Sequence, residues 1–227
     1  ISNKISLSVV VPFYNEEAAL PFCLSTLERF RSDFSKEYDM QFVFVDDGST
    51  DRTSCLLNAF ANNSRDITVI TFTRNFGHQT AVSAGIKEAT GNFIAIIDAD
   101  LQDDPYLIPQ MTQIALSGYD VVYGKRISRS GETKFKKITA FLFYRLLNWL
   151  SDLDVPRDVG DFRVISKRVA LELGQLGENR KFIRGLIPWL GFNAKAFEYH
   201  RDNRKDGESK YSLAKMAALS IDAIITF

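Results

Sequence analysis

The sequence predicts an α/β protein whose centre is a doubly wound, mostly parallel β-sheet. Short apolar runs alternate with amphipathic segments over roughly the first 125 residues, which is typical of βαβ units. The runs are continuous and rich in β-branched residues, as expected for parallel strands that are covered on both faces. The chain has 227 residues, of which 45% are hydrophobic and 25% charged, so it can form one large folded domain.

Helices are predicted to follow the strands of the first half. The strands are expected at residues 6–12, 40–45, 67–73, 94–97 and 120–123. The helices are expected at residues 15–31, 52–62, 79–90 and 105–117. Asn15 is the predicted N-cap of the first helix, and Gly91 is the predicted C′ residue that ends the third.

Two of these strands end in acidic side chains. Asp46 and Asp47 follow the second strand, whereas Asp98, Asp100 and the carboxamide of Gln102 follow the fourth. Because ligands bind beyond the carboxyl ends of the strands in an open parallel sheet, these side chains are expected to face one cleft. Oxygen ligands at the spacing of Asp98 and Asp100 suit Mg²⁺ or Mn²⁺, particularly beside a diphosphate, although such acids also cap helices.

Five further residues near predicted strand ends each allow more than one interpretation. Tyr14 is either a core residue or, with Glu16, a partner for a nucleoside. Arg74 pairs either with a structural acid or with a phosphate. His78 is expected to cap or pack the following helix rather than to bind a ligand. Asp161 is a candidate base, or else a capping or arginine-paired carboxylate.

The second half of the chain has a different character. A short strand is predicted within residues 159–166, a helix at 167–173 and a last strand near 194–200. The loop that follows, at residues 201–211, is polar, contains glycine and has mixed charge. An anion that binds there would therefore require particular side chains rather than a general positive field.

A basic segment separates the two halves. From Gly124 to Arg145 there are seven basic residues and one acidic residue. Apolar residues at helical spacing predict an amphipathic helix from Lys134 to about Leu150. This helix either packs on the core with one solvated face or lies in a membrane interface, where Lys and Arg meet phosphate headgroups. Nucleic acid is a weaker interpretation, because basic and acidic residues are equal at 28 each and no recognised binding module surrounds the segment.

Several common classes lose support from what the sequence lacks. It contains neither GxGxxG after the first strand nor GxxxxGK[ST], which argues against dinucleotide oxidoreductases and P-loop NTPases. No signal peptide is predicted at the start, and no apolar run reaches the length of a membrane span. Cys23 and Cys55 are isolated and are expected to be small hydrophobes in a reducing compartment.

Seven short motifs occur in order along the chain and together resemble one family. They are Val10-Val11-Pro12-Phe13-Tyr14-Asn15-Glu16-Glu17, Asp46-Asp47-Gly48-Ser49-x-Asp51, Arg74-Asn75-x-Gly77, Asp98-Ala99-Asp100-Leu101-Gln102, Gly124-x-Arg126, Gly160-Asp161-Phe162-Arg163 and Arg204-x-x-Gly207-Glu208-Ser209-Lys210-Tyr211. The set resembles the inverting family-2 glycosyltransferases with a GT-A fold. It is most similar to the polyprenyl-phosphate branch, which includes dolichol-phosphate mannose synthases and bacterial GtrB-type glucosyltransferases.

The resemblance implies roles for the matching positions. The residues expected to bind the nucleotide-sugar donor are Pro12, Tyr14, Glu16, Val45, Asp47 and Ala99, and the residues expected to bind donor or acceptor phosphates are Arg126, Arg204 and Lys210. The residues expected to hold Mg²⁺ or Mn²⁺ on its diphosphate are Asp98, Asp100 and Gln102. The residues expected to act in catalysis are Asp161, Asp100 and Arg126. Asp161 would be the polar group nearest the attacking acceptor oxygen, as a positioning group or a weak base.

The resemblance also implies the acceptor and the location. A hexose, with UDP-glucose favoured as donor, would pass to a polyprenyl phosphate at the cytoplasmic face of the cell membrane. The catalytic domain is expected at residues 1–210, with its nucleotide-binding part in the N-terminal half. A juxtamembrane helix at residues 211–227 would lead toward membrane helices. A homo-oligomer is compatible with the sequence, which leaves the oligomeric state open.

Other functions stay open from the sequence alone. They include a GDP-mannose-dependent dolichol-phosphate mannose synthase, a transferase that uses a soluble acceptor, and a non-catalytic module that binds nucleotide sugars. A processive polysaccharide synthase is disfavoured because the sequence contains no Gln-x-x-Arg-Trp motif.

Overall fold

The computed structural model describes residues 4–62, 64–127, 159–176 and 183–200. The strands are β1 Ile5–Phe13, β2 Tyr38–Asp46, β3 Ile67–Thr71, β4 Phe93–Ile96, β5 Val121–Arg126, β6 Val159–Ser166 and β7 Ala194–Tyr199. The helices are α1 Leu20–Asp33, α2 Thr53–Ala61, α3 His78–Glu88, α4 Ile108–Leu116, α5 Lys167–Gln175 and α6 Ile183–Trp189, and a 3₁₀ turn at Pro105–Leu107 precedes α4.

The described strands form one seven-stranded sheet in the order β3-β2-β1-β4-β6-β5-β7. β1 pairs in parallel with both β2 and β4, β2 with β3, and β5 with β7. β6 runs antiparallel between β4 and β5. The predicted α/β class with a mostly parallel sheet is therefore confirmed.

Helices cover both faces of this sheet. On one face α1, α2 and α4 pack in a core that includes Val9, Val11 and Phe44. On the other face α3, α5 and α6 pack in a second core that includes Val10 and Val45. Successive strand residues point to opposite faces, so two buried faces require an apolar residue at nearly every position. This explains why the strands are continuous apolar runs in the sequence.

Two predicted helix ends are wrong, and both have a local cause. α1 begins at Leu20 rather than at Asn15, which has a φ of 52°. The Asn15 Oδ1 atom instead accepts a hydrogen bond from the Thr50 amide at 2.8 Å, so the side chain joins two loops. α3 ends at Glu88, and Gly91 lies beyond it against β1, where a Cβ atom would come within 2.6 Å of the Ser8 backbone nitrogen.

Several predictions fall on parts of the chain that the structure leaves undescribed. The amphipathic helix at residues 134–150, the juxtamembrane helix at 211–227, and the side chains of Arg204 and Lys210 all lie outside the described residues. None of the helices in the described ranges has both the length and the apolar character needed to cross a bilayer.

Candidate active site

The topology brings Asp98 and Asp161 to the same edge of the sheet. β4 and β6 are antiparallel, and Ile96 lies opposite Arg163. Asp98 follows Ile96 by two residues and Asp161 precedes Arg163 by two, so the two carboxylates meet beyond the end of β4. The antiparallel strand therefore supplies its acid from its beginning, whereas the parallel strands supply theirs from their ends.

Asp161 is buried and held by cationic and amide groups on all sides. Its side chain is 3% exposed. Arg184 donates to it with both Nε, at 2.7 Å, and Nη2, at 2.5 Å. His78 Nε2 lies 2.9 Å away, and Gln79 Nε2 donates at 3.2 Å. Burial alone would favour the neutral acid, but Arg184 and then His78 hold the pKa of Asp161 well below its usual range.

His78 lies between the two carboxylates. Its Nε2 atom is 2.9 Å from Asp161 and 3.5 Å from Asp98. Burial opposes the charged imidazolium, yet the hydrogen bond to Asp161 and the charges of Asp161 and Asp98 raise the pKa of His78 to about 9. His78 begins α3, and its ring contacts both acids in addition to its place at the start of the helix.

Asp98 accepts fewer hydrogen bonds than Asp161 among the described residues. Its Oδ1 atom is buried and has no hydrogen-bond partner among the described residues. Burial raises the pKa of Asp98 to about 6, and the charges of Asp161 and Asp100 add to that rise while His78 opposes it. A buried carboxylate oxygen that accepts no hydrogen bond is costly, and a bound cation would satisfy it.

Two groups of side chains at this edge could hold a divalent cation. His78, Asp98 and Asp161 offer atoms that all lie within 4.8 Å of one another. However, both Asp161 oxygens already accept hydrogen bonds from Arg184, and a metal there would have to displace it. Asp98 and the exposed Asp100 follow β4 in one loop. There Asp100 Oδ1 accepts a hydrogen bond from the backbone N–H of Gln102 at 3.2 Å. The donor set of this loop fits Mg²⁺ or Mn²⁺ better, because Asp98 faces His78 only at 3.5 Å and, unlike Asp161, accepts no hydrogen bond from an arginine among the described residues.

Arg163 is a second buried arginine near Asp161. Its guanidinium donates to the backbone oxygens of Asp161 at 3.2 Å and Gly160 at 2.8 Å, and burial lowers its pKa to about 10. Its Nη2 atom is 3.8 Å from the Asp161 carboxylate. Arg163 therefore mainly satisfies backbone carbonyls, whereas Arg184 makes the direct ion pair.

Arg126 lies at the end of β5 beside a buried acid. Its Nη2 atom is 3.5 Å from Asp103, whose other oxygen accepts the Tyr199 hydroxyl at 2.5 Å. A Cβ atom at Gly160 would come within 2.8 Å of the same Nη2 atom, so a larger residue there would require the guanidinium to shift. The Arg126 Nε atom is buried and without a hydrogen-bond partner among the described residues. Burial and the Asp103 charge, in that order, raise the pKa of Tyr199 to about 12.

Asp47 holds the loop after β3. Its two oxygens accept hydrogen bonds from the Asn75 side chain at 2.9 Å and from the amides of Phe76 at 2.7 Å and Gly77 at 3.0 Å. Arg74 lies in the same loop and places its guanidinium 4.2 Å from the centre of the Phe76 ring. Asp47, which the resemblance predicts to bind the nucleoside, therefore fixes the conformation of the loop after β3.

The loops after β1 and β2 are bonded to each other. The amides of Asn15, Glu16 and Glu17 donate to the side chains of Ser49, Thr53 and Asp51, respectively. These bonds fix the turn that contains Tyr14, whose side chain is 42% exposed. Tyr14 is therefore available at the surface, which removes the interpretation that it is a core residue.

The remaining predicted donor positions are structural neighbours. Pro12 and Val45 are both buried and lie opposite each other in the β1–β2 pair. Ala99 is buried between the two acids of the loop after β4.

Sequence reasoning missed the role of four residues at this site. They are His78, Gln79, Arg184 and Tyr199. Arg184 and Tyr199 lie far along the chain from their acidic partners, and no local pattern marks them. The signal available in the sequence was the alternative interpretation of Asp161 as an arginine-paired carboxylate, which the structure confirms.

The family comparison covers most of the described sheet. The model of the family described as "Glycosyl transferase family 2" matches residues 8–174. The "Uncharacterized glycosyltransferase YkcC" of Bacillus subtilis (strain 168) is 46% identical over 227 residues, which are 100% of this chain and 70% of that protein. The "Prophage bactoprenol glucosyl transferase homolog" of Escherichia coli (strain K12) is 36% identical over 98% of this chain and 72% of its own length. The "Bactoprenol glucosyl transferase" of Shigella phage SfX has the same identity and coverage.

Solved structures share the fold at low sequence identity. Glucosyl-3-phosphoglycerate synthase from Mycobacterium tuberculosis, in complex with Mg²⁺ and UDP, aligns with a TM-score of 0.64 and 17% identity over 98% of this chain and 78% of that chain. The mannosyltransferase PcManGT from Pyrobaculum calidifontis, in complex with GDP-Man and Mn²⁺, aligns with a TM-score of 0.58 and 21% identity over 86% of this chain and 55% of that chain. At these identities the likeness establishes the fold alone, which is GT-A.

Proposed function

The chain belongs to glycosyl transferase family 2, and we propose that it transfers a hexose from a nucleotide-sugar donor to a polyprenyl phosphate. The acceptor class is supported by bactoprenol glucosyl transferases that are 36% identical over 98% of the chain. We propose UDP-glucose as the donor, which fits the glucosyl group in the names of these relatives.

One observation in the structure carries the choice of a phosphate acceptor. Asp161 is the carboxylate proposed to lie nearest the acceptor, and Arg184 and His78 hold its pKa well below the usual range. An acid with so low a pKa is a poor base near neutral pH. An alcohol acceptor needs a base, whereas a phosphate monoester is already largely ionised near neutral pH. The site therefore suits a nucleophile that arrives without its proton, and Asp161 acts by position and charge.

The proposed step forms one bond and breaks one. A phosphate oxygen of the acceptor bonds to the anomeric carbon of the sugar. The bond from that carbon to the donor diphosphate breaks, and its electron pair leaves with the nucleoside diphosphate. Attack from the side opposite the leaving group inverts the configuration at the anomeric carbon.

Negative charge grows on the leaving diphosphate, and the proposed site offsets it with cations. Asp98, Asp100 and Gln102 would hold Mg²⁺ or Mn²⁺, which supplies positive charge at the diphosphate when bound. Arg126 is well placed to contribute a guanidinium, since its Nε atom is buried without a hydrogen-bond partner among the described residues. Arg204 and Lys210 are proposed to add further charge from the segment after β7.

The donor nucleoside is proposed to lie over the loops after β1 and β2. Tyr14 offers an exposed ring for stacking, and Glu16 is in the same turn. Pro12 and Val45 form the buried floor at the ends of the two strands, and Asp47 fixes the adjacent loop.

The membrane assignment stays part of the proposal. A polyprenyl phosphate resides in a bilayer, so the amphipathic helix predicted at residues 134–150 is proposed to lie in the membrane interface. Residues 1–210 would then form the catalytic domain on the cytoplasmic face, and residues 211–227 would lead toward the membrane.

A transfer assay tests the proposed function. Purified protein is incubated with Mn²⁺, a short-chain polyprenyl phosphate in detergent, and either radiolabelled UDP-glucose or GDP-mannose. Label is then extracted into organic solvent. We expect transfer from UDP-glucose to the phosphate, and none to the matched polyprenol that lacks the phosphate. Absence of transfer from either donor, or equal transfer to the polyprenol, would contradict the proposal.

A further inference from the structure

We propose that Arg184, on α6, is a positioning residue of the transfer reaction, which holds Asp161 charged and fixed beside the reacting phosphate. The inference rests on the proposed function and extends it to a helix that the seven sequence motifs do not include. It concerns how Asp161 is held, not contact between Arg184 and the substrate.

The contact between the two side chains is bidentate. Arg184 Nε is 2.7 Å from Asp161 Oδ1, and Arg184 Nη2 is 2.5 Å from Asp161 Oδ2. Two parallel hydrogen bonds from a planar guanidinium fix the plane of a carboxylate as well as its distance. His78 and Gln79 add one hydrogen bond each from α3. Asp161 is thus held between two helices that come from distant parts of the chain.

The charges around Asp161 explain why a cation is required there. Asp161 and Asp98 are near neighbours across His78, and Asp161 is 3% exposed. A buried carboxylate without a cationic partner is strongly disfavoured and would take up a proton or move. An anionic phosphate that approached two carboxylates would also be repelled. His78 and Arg163 contribute to the positive charge that offsets both effects, and Arg184 contributes most, through two hydrogen bonds to the carboxylate.

α6 is itself firmly placed. Ile183, Leu186 and Ile187 are buried in the core that covers one face of the sheet. The Arg184 side chain points away from this core and is 26% exposed. Because the side chain is partly exposed on a helix that the core holds in place, a small guanidinium ion can reach the position left by Arg184→Ala.

Loss of Arg184 should affect turnover more than donor binding. The donor is proposed to bind over the loops after β1 and β2, whereas Arg184 forms its ion pair with Asp161 at the start of β6. Partners that orient a reacting group from behind typically contribute about 10- to 100-fold to activity. We therefore expect Arg184→Ala to lower kcat by about 10- to 100-fold, while the KM for the donor changes less than about threefold.

The experiment compares three variants in the transfer assay with short-chain polyprenyl phosphate. Arg184→Ala removes the contact, and Arg184→Lys keeps the charge without the bidentate geometry. Arg168→Ala is the matched control, because Arg168 is a 68% exposed arginine that pairs with Asp120 on the surface. Each variant is assayed with and without added guanidinium chloride at non-denaturing concentration, and its melting temperature is measured.

We expect guanidinium to restore part of the kcat of Arg184→Ala and to leave wild type and Arg168→Ala unchanged. Arg184→Lys should retain more turnover than Arg184→Ala but less than wild type. An active wild type whose kcat is unaffected by Arg184→Ala would overturn this inference alone. So would a loss of kcat that guanidinium leaves unchanged in a variant that melts like wild type. A wild type that transfers no sugar would instead end the proposed function, and this inference with it.

Discussion

The two sides of the cleft satisfy their acids in different ways. On the donor side, after β1 and β2, Asp47 and Asp51 accept hydrogen bonds from backbone amides in neighbouring loops. On the acceptor side, after β4 and at the start of β6, Asp161 accepts from the charged side chains of Arg184 and His78. The donor-side hydrogen bonds fix the conformation of the loops. The acceptor-side ion pairs keep Asp161 in its charged form.

This difference predicts on which side of the cleft the substitution of an acid lowers stability less. Backbone amides remain in place when a side chain is substituted, so the loss of a donor-side acid leaves neutral groups unpaired. On the acceptor side, removal of one charge leaves another buried charge without a partner, which is far more costly. We therefore expect donor-side substitutions to alter donor binding, and acceptor-side substitutions to alter both turnover and folding.

The largest effect is expected from the proposed metal loop. Asp98→Ala removes the carboxylate whose Oδ1 atom is buried without a hydrogen-bond partner among the described residues. We expect turnover in the transfer assay to fall on the order of 10²-fold or more, as for comparable electrostatic elements. Asp104→Ala, in the same loop, removes only the cap of the 3₁₀ turn and serves as the control. Near-normal turnover of Asp98→Ala in the presence of EDTA would refute the assignment.

The next effect is on stability, at Asp161. Asp161→Asn removes the negative charge but leaves the Arg184 and His78 side chains in place. We expect a loss of about 3 kcal/mol in the free energy of unfolding by urea titration, because the partly buried cations Arg184 and His78 both lose their anionic partner. Asp120→Asn, which breaks the surface pair with Arg168, should cost less than about 1 kcal/mol. Equal losses at the two positions would show that the Asp161 network contributes no more than a surface ion pair.

Part of this contrast could be predicted from the sequence. The strand ends and their acids follow from local patterns, because a buried parallel strand is a continuous apolar run and its end is marked by a polar residue. The mostly parallel α/β sheet and the cleft with Asp98 followed in the same way. The antiparallel placement of β6 did not, since the pairing of distant strands leaves no local trace.

The acceptor side escaped prediction for a related reason. Arg184 is 23 positions from Asp161, and His78 is 83 positions from it. A lone arginine or histidine in an amphipathic helix has the same local pattern whether it faces solvent or a buried acid. Asn15 and Gly91 are the opposite case, because each matches a helix-end pattern without ending a helix. Asn15 bonds two loops together, and Gly91 lies close to the backbone of β1.

A smaller effect is expected on the donor side, at Asp47. Asp47→Ala removes the acceptor of three groups in residues 75–77, which should loosen that loop without leaving a buried charge. We expect a loss of about 2 kcal/mol in the free energy of unfolding, since hydrogen bonds to a charged group contribute about that amount. The KM for the donor should rise while kcat falls less. Asp39→Ala, at an exposed position of β2, is the control, and a rise in KM equal to that of the control would contradict the role of Asp47.

The smallest effect is on the pH dependence of folding, through His78. Its pKa is raised to about 9 in the folded protein, from 6.5 in an unfolded chain, so the folded state binds more protons between these values. Stability from this group is fully present below pH 6.5 and is lost as the pH rises to 9. The shift corresponds to about 3 kcal/mol for a group shielded from water, and screening at its 35% exposed side chain reduces this to about 1 kcal/mol.

Urea titrations in metal-free buffer between pH 6 and pH 9.5 measure this loss. Asp161, Asp98 and Arg184 are the charged groups that face His78, and the first two produce the raised pKa. His78→Gln retains a polar side chain but cannot titrate, so its stability should change less over the same range. If wild type and His78→Gln lost stability in parallel, the imidazole would have to be neutral in the folded protein. His78 would then belong with the hydrogen-bonded donor side rather than with the charged acceptor side.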